Sequence, residues 1–177
     1  MIITHYLGST YATKAPISLS ASIAFEQLYE MVEGDSATCA EFYALLSSIA
    51  GVPLKQSIAV TGSMDQNGEV QPVGAINEKI EGFFDICSLV DSKKSHGIMI
   101  SLSNVKHLML KDEVLEAVKN KTFKIYAIES VNEGLEILTG KVSGTKDANG
   151  HFPKESINYL VEEKLKLFAN KSKQKKI

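Results

Sequence analysis

Hydrophobic side chains recur along this chain with two different periods. Apolar residues three or four positions apart predict helices, at Ser36–Ala50, Asn77–Val90, Asp112–Asn120, Val131–Leu138 and after Pro153. Alternating or short continuous apolar runs predict strands, at Ile17–Phe25, Ser57–Met64, Glu69–Val73, Gly97–Leu102 and Phe123–Ile128. Strands that alternate with helices indicate an α/β (α+β) fold.

Turn signals refine this picture. Asn67-Gly68 lies between two predicted strands, and this dipeptide is a strong signal for a β-hairpin. An antiparallel hairpin among strands joined by helices predicts a mixed sheet with flanking helices. The amphipathic stretch after Pro153 is expected to form a peripheral C-terminal helix.

Length and charge narrow the class of protein. A chain of 177 residues is expected to form one domain, here residues 1–170, followed by a basic tail over residues 171–177. The net charge of -2 gives no global electrostatic case for nucleic-acid binding. The lysines of the tail are expected to be solvated, and nucleic-acid binding there stays a third alternative for function.

The cysteines and histidines indicate neither a disulfide nor a metal site. Cys39 and Cys87 both lie in predicted helices, and we interpret them as small core residues in a reducing compartment. The four histidines are scattered, and there is no CxxC or HExxH motif, so no metal is expected. No stretch is typical of a membrane span or a secretory signal, so we expect a cytoplasmic protein without a membrane partner.

The sequence Glu33-Gly34-Asp35-Ser36 introduces the first long predicted helix. A serine at a helix N-terminus is surrounded by free backbone N–H groups, and the helix dipole there favours negative charge. Ser36 is therefore a candidate nucleophile. Serine and aspartate are also ordinary helix caps, and this structural interpretation stays open.

A serine nucleophile needs a proton acceptor. No histidine lies in a motif that would complete a Ser-His-Asp set, and Thr38 stands where a G-x-S-x-G elbow requires glycine. Lys79 is the alternative, because it lies in the first turn of a helix with apolar neighbours, where a charged ammonium is disfavoured. From composition and spacing alone, a solvated surface lysine that pairs with Glu78 or Glu81 is the favoured interpretation.

Three segments carry a resemblance that covers most of the chain, from about Pro16 to Phe168. They are Glu33 through Thr38, Val60-Thr61-Gly62-Ser63, and Gln71 through Phe84, which includes the run Asn-Glu-Lys-Ile-Glu-Gly-Phe-Phe. In sequence, order and separation they resemble the proteolytic domain of Lon proteases, in the Lon-like branch. The resemblance implies the fold of that domain and a serine endopeptidase that hydrolyses peptide bonds.

The family uses a Ser-Lys dyad, so the resemblance implies that Ser36 is the nucleophile and Lys79 the general base. Thr61 occupies the position whose hydroxyl is expected to hydrogen-bond and orient the lysine. Backbone N–H groups of Ser36 and Ala37 are the expected oxyanion donors.

Glu33 and Asp35 flank the serine where the family usually has an acidic residue. They are expected either to tune the lysine or gate the site, or only to form the turn and cap the helix. Ala75 departs from the usual Val-Gly-Gly sequence, which is expected to alter slightly the turn before Lys79.

The resemblance also implies partners that these residues cannot supply alone. Polypeptide substrates, a homohexameric ring and ATP-dependent proteolysis are expected of the full-length protein. ATP and Mg²⁺ belong to an ATPase module that this chain lacks, and β-structure of the usual domain is expected upstream of Met1. The alternative function is a non-catalytic or inactive ring-assembly module of a larger Lon-like protein.

Overall fold

The computed structural model describes residues 2–12, 17, 19–24, 34–90 and 95–174, with the side chains of residues 173 and 174 excepted. Six α-helices lie within these ranges: α1 (Ile2–Tyr11), α2 (Thr38–Ala50), α3 (Ile76–Val90), α4 (Asp112–Lys119), α5 (Val131–Thr139) and α6 (Ile157–Gln174). The strands there are β1 (Ile58–Val60), β2 (Ser63–Met64), β3 (Val70–Gln71), β4 (His96–Ser101) and β5 (Phe123–Ile128). A 3₁₀ helix, Leu102–His107, follows β4.

The strands form two separate sheets, whereas the sequence predicted one mixed sheet. The larger sheet is parallel, with the order β1-β4-β5, and pairs Ile58 with Gly97 and His96 with Phe123. β2 and β3 form an antiparallel hairpin that is a sheet of its own. The overall class, a mixture of parallel strands and flanking helices, is as predicted.

Both faces of the parallel sheet are covered, as parallel sheets require. Ile98 and Ile100 of β4 point into one core, which α3 and α4 complete. Met99, between them in sequence, points into the other core, which is built by α1, α2, α5 and α6. Because side chains alternate along a strand, β4 supplies buried residues to both cores.

α6 is the predicted C-terminal helix, and it packs on the larger core through one apolar face. Its residues Ile157, Val161 and Leu165 are buried there, and α6 packs against α1 and α2. The predicted basic tail begins inside this helix, since α6 continues to Gln174. Across the described residues, no helix combines the length and the apolar character that membrane crossing requires.

Two strand predictions failed for different reasons. The described residues of the predicted strand Ile17–Phe25 form no strand, although Ile17 and Leu19 pack against the larger core. Ala21 and Ile23, which the same alternation placed on the buried face, are exposed. A strand also needs backbone partners from a neighbour, which side-chain alternation does not supply. The predicted strand Ser57–Met64 is split into β1 and β2, because the Gly62 N–H bonds to Ser36 and the Gly62 carbonyl to Cys39 of α2 instead of to a neighbouring strand.

Candidate active site

The turn that carries Ser36 is tight and leads directly into α2. Gly34 has a φ of +96°, a left-handed conformation that favours glycine. The N–H of Thr38 donates to the carbonyl oxygen of Asp35 at 3.0 Å, which closes the turn. Ala37 is the N-cap residue and no side chain caps the helix, so the structure does not use Ser36 or Asp35 as a conventional cap.

Gly62 clamps this turn from the carboxyl end of β1. Its N–H donates to the carbonyl oxygen of Ser36 at 2.9 Å, and its own carbonyl accepts the N–H of Cys39 at 3.0 Å. The hydroxyl of Thr61 also donates to the Ser36 carbonyl, at 3.4 Å. The backbone of the candidate nucleophile is thus fixed to the edge strand of the parallel sheet, where such sheets commonly build their sites.

The groups of this turn that are expected to take part in catalysis are not engaged by other described residues. The Ser36 hydroxyl and the backbone N–H groups of Ser36 and Ala37 form no hydrogen bond with other residues in the described part of the chain. Free N–H groups at the start of a helix suit an oxyanion. Cys39 is not a competing nucleophile, because burial raises the pKa of its thiol to about 12.

Lys79 lies in the first turn of α3, as predicted. The turn before it contains Ala75 at a φ of +54°, a left-handed conformation in a residue that carries a Cβ. The N–H of Lys79 donates to the carbonyl oxygen of Ala75 at 3.0 Å. Ile76 and Ile80 on the same helix are buried in the smaller core, and Lys79 itself is half-buried.

Lys79 forms no ion pair with Glu81, although such a pair would be typical of an ordinary surface lysine. Glu81 instead accepts the backbone N–H of Lys111 at 2.9 Å and lies 3.5 Å from the Lys111 ammonium. Within the described ranges, the Lys79 side chain forms no hydrogen bond or ion pair with Glu78 or with any other residue.

Two asparagines that the sequence analysis did not identify hold α3 in place. Asn104 is buried; it accepts the N–H of Val73 at 3.1 Å and donates to the Val73 carbonyl at 2.9 Å. Asn77 donates to the carbonyl of His107 at 3.2 Å and accepts the N–H of Met109 at 2.8 Å. The partner of Asn104 is Val73, 31 residues away in the sequence, so no local sequence pattern identifies Asn104 as a positioning residue.

The Ser36 turn and the helix that carries Lys79 both lie against the parallel sheet, but the structure does not join the two residues. α2 and α3 contribute to the cores on opposite faces, and no hydrogen bond links Ser36 with Lys79 in the described region. The Thr61 hydroxyl contacts Ser36, and its predicted bond to Lys79 is not formed. Glu33, the other predicted acidic residue, lies outside the described residues.

A cavity of about 480 Å³ opens at the carboxyl ends of β4 and β5. Its lining includes Gln71, which pairs with Ser63 across the hairpin, and three glutamates, Glu69, Glu129 and Glu133. Ser36 and Lys79 do not line it. Among the described residues, no group of three or more His, Cys, Asp or Glu side chains could hold a metal ion.

Comparison with known proteins adds independent information. The family model for the Lon protease (S16) C-terminal proteolytic domain matches residues 31–140, which include the Ser36 turn and Lys79. A Lon protease homolog of Escherichia coli (strain K12) is 46% identical over 142 residues, which are 80% of this chain and 24% of that protein. One from Haemophilus influenzae is 38% identical over 165 residues, 93% of this chain and 28% of that protein.

Archaeal proteins are similar over a shorter stretch. The archaeal Lon protease of Thermococcus kodakarensis is 34% identical over 115 residues, which are 65% of this chain and 16% of that protein. The chain thus spans about a quarter of the length of the two bacterial relatives. Since the family model matches well over half of its residues, the chain belongs to the Lon protease C-terminal proteolytic domain family.

Proposed function

We propose that this domain is a serine-type endopeptidase in which Ser36 is the nucleophile and Lys79 the general base. The observation that carries the proposal is the turn at Ser36. It lies within the region matched by the family model, its backbone is clamped by Gly62, and its hydroxyl and two adjacent amides are unengaged among the described residues. Lys79, half-buried and outside any ion pair there, supplies the acceptor.

The chemistry follows the usual two steps of covalent catalysis. The Ser36 Oγ attacks the peptide carbonyl carbon while its proton passes to the Lys79 Nζ. The C–N bond breaks as that proton moves to the leaving amine, and an ester on Ser36 remains. Water then attacks the ester, Lys79 takes the water proton and returns it to the Ser36 Oγ, and the carboxyl product leaves.

Backbone amides supply the electrostatic stabilisation. In both steps negative charge develops on the carbonyl oxygen, and the N–H groups of Ser36 and Ala37 are the proposed donors to it. Amides that are already fixed by the surrounding structure need no reorganisation when the charge forms. The clamp from Gly62 and Thr61 fixes the Ser36 carbonyl, and therefore also the plane of the peptide that carries the Ala37 N–H.

Substitution of each dyad member tests the proposal, with cleavage of an unfolded protein such as labelled casein as the assay. Ser36→Ala and Lys79→Ala are each expected to lower kcat by about 10²–10⁴-fold, and the double variant should be little worse than either. Lys79→Arg should be as inactive as Lys79→Ala, because a guanidinium stays protonated.

A matched lysine provides the control. Lys119 on α4 is exposed, and its one ion pair within the described part of the chain is with Glu116 on its own helix, so Lys119→Ala should keep full activity. Activity that survives in both Ser36→Ala and Lys79→Ala would refute the dyad and favour the alternative of a non-catalytic assembly module.

The wider context is proposed for the whole protein, of which this chain covers a part. We propose that it acts on polypeptides in the cytoplasm as a homohexameric ring, with ATP and Mg²⁺ used by an ATPase module elsewhere in the polypeptide. Membership in the Lon family supports this proposal. The native mass of the full-length protein and the ATP dependence of casein cleavage test it, and a monomer with ATP-independent activity would contradict it.

A further inference from the structure

We infer that Ser63 is a positioning residue for the proposed peptidase, because its hydroxyl holds the Asp35 carboxylate away from the Ala37 N–H and so keeps this oxyanion donor free. The inference depends on the proposed function. Ser63 is not a member of the proposed Ser36–Lys79 dyad.

Ser63 is well placed to hold a neighbouring side chain. It lies in β2, is only 4% exposed, and pairs with Gln71 of β3. Its hydroxyl donates to the Oδ2 atom of Asp35 at 3.0 Å, and its carbonyl oxygen lies 3.3 Å from the Cys39 Sγ. A buried hydroxyl without a partner loses its hydrogen bonds to water, so this bond is favoured even though Asp35 is exposed.

An aspartate in a turn has another partner within reach. Asp side chains commonly accept the backbone N–H two residues further along, which forms an Asx-turn. For Asp35 that amide belongs to Ala37. A carboxylate bound there would occupy the donor proposed for the oxyanion, and its negative charge would oppose the charge that forms in the transition state.

Other aspartates in turns of this chain form that bond. Asp65 accepts the N–H of Asn67, two residues on, at 2.8 Å. Asp147 accepts the N–H of Asn149 at 2.9 Å. Asp35 also lies in a turn, since its carbonyl accepts the Thr38 N–H, but its carboxylate bonds to Ser63. Asp35 thus differs from the other two in that its carboxylate accepts the Ser63 hydroxyl and not the N–H two residues on.

Thr61, Gly62 and Ser63 thus act on the nucleophile turn in succession. The Thr61 hydroxyl and the Gly62 N–H donate to the Ser36 carbonyl oxygen, and the Ser63 hydroxyl donates to the carboxylate of Asp35. The first two interactions fix the position of the turn. The third keeps the Asp35 carboxylate away from the Ala37 N–H.

The test compares Ser63→Ala with the double variant Ser63→Ala/Asp35→Ala. Casein cleavage gives the overall activity, and cleavage of a fluorogenic peptide gives kcat and KM. Loss of one oxyanion donor costs about 10²–10³-fold in kcat. We expect Ser63→Ala to lower kcat by about 10²-fold with KM within twofold. Removal of the competing carboxylate in the double variant should recover at least about tenfold of that loss, whereas a merely structural role would give a further loss.

A readout that does not depend on activity comes from amide exchange. The Ala37 N–H should exchange more slowly in Ser63→Ala than in the parent, and should regain its fast exchange in the double variant. Ser63→Cys, which keeps nearly the same volume but is a weaker donor, should give an intermediate kcat if Ser63→Ala does not fold.

A matched serine controls for loss of a buried hydroxyl. Ser143 is buried and donates to the Glu136 carboxylate at 2.8 Å, in the loop after α5. Ser143→Ala should lose stability and keep kcat. If Ser36→Ala and Lys79→Ala abolish activity but Ser63→Ala keeps kcat, or the double variant recovers nothing, the inference is wrong and the dyad stands. If the dyad variants keep activity, both proposals fall.

Discussion

Ala75→Gly is expected to stabilise the domain, because Ala75 has a backbone conformation that suits glycine. Its φ of +54° places the Cβ too close to the following carbonyl oxygen. That conformation costs a non-glycine residue about 1–2 kcal/mol. Glycine avoids this cost but gives the unfolded chain more freedom, which costs about 0.4–1 kcal/mol.

The net gain in the free energy of unfolding is therefore about 0–1.6 kcal/mol, and about 0.8 kcal/mol at the midpoints of the two ranges. Ala75 is exposed, so loss of its methyl group removes little packing. The backbone bond from the Lys79 N–H to the Ala75 carbonyl is retained, because glycine adopts the same conformation. The Tm should rise by about 1–4 °C, as expected for a protein of this size.

Urea denaturation followed by circular dichroism measures this change, with Ala148→Gly as the matched control. Ala148 is also an exposed alanine in a turn, but it is not among the described residues with positive φ. Its replacement should lower stability by about 0.4–1 kcal/mol through the unfolded chain alone. If Ala75→Gly destabilises as much as Ala148→Gly, the reasoning from backbone strain is refuted.

Four further predictions concern the larger core. Tyr43→Phe should raise the free energy of unfolding by about 1–2 kcal/mol in urea denaturation, because the buried Tyr43 hydroxyl has no hydrogen-bond partner among the described residues; a loss would show that it has one. Gly134→Ala should cost about 1–3 kcal/mol or more, since its Cβ would overlap the Tyr43 hydroxyl, and the cost should shrink in a Tyr43→Phe background. Cys39 should resist iodoacetamide at pH 8 until the protein unfolds, because burial raises its thiol pKa to about 12. For the same reason stability should fall as pH rises above about 9, the pKa of the exposed thiol, and a Cys39→Ala variant should show a shallower fall.

Elements with strong local signals were predicted well. The strand Phe123–Ile128 has the predicted bounds, and Asn67-Gly68 joins β2 to β3 as expected. Gly51 ends α2 in a left-handed conformation. Each of these features depends on a few consecutive residues, through side-chain period, turn geometry or a glycine at a helix end.

Features that depend on a distant partner were predicted poorly. The alternation of residues 17–25 identified packing residues such as Ile17, but it did not reveal whether a neighbouring strand would pair with them. The amphipathic pattern of α6 predicted which residues form its buried face, but not which helices that face contacts. Its burial follows from the contacts it makes with α1 and α2, more than a hundred residues earlier in the chain.

The sequence by itself determined that a serine follows a tight glycine turn at the start of a helix and that a lysine lies in the first turn of another. Only the tertiary structure decided how that serine is held: Gly62 binds its carbonyl from the end of β1, and Ser63 takes the Asp35 carboxylate that a turn would otherwise direct to Ala37. The physical reason is separation along the chain. Helix and turn preferences arise within a few residues, whereas these hydrogen bonds join segments some 25 residues apart and exist only once β1 and the hairpin are packed against α2.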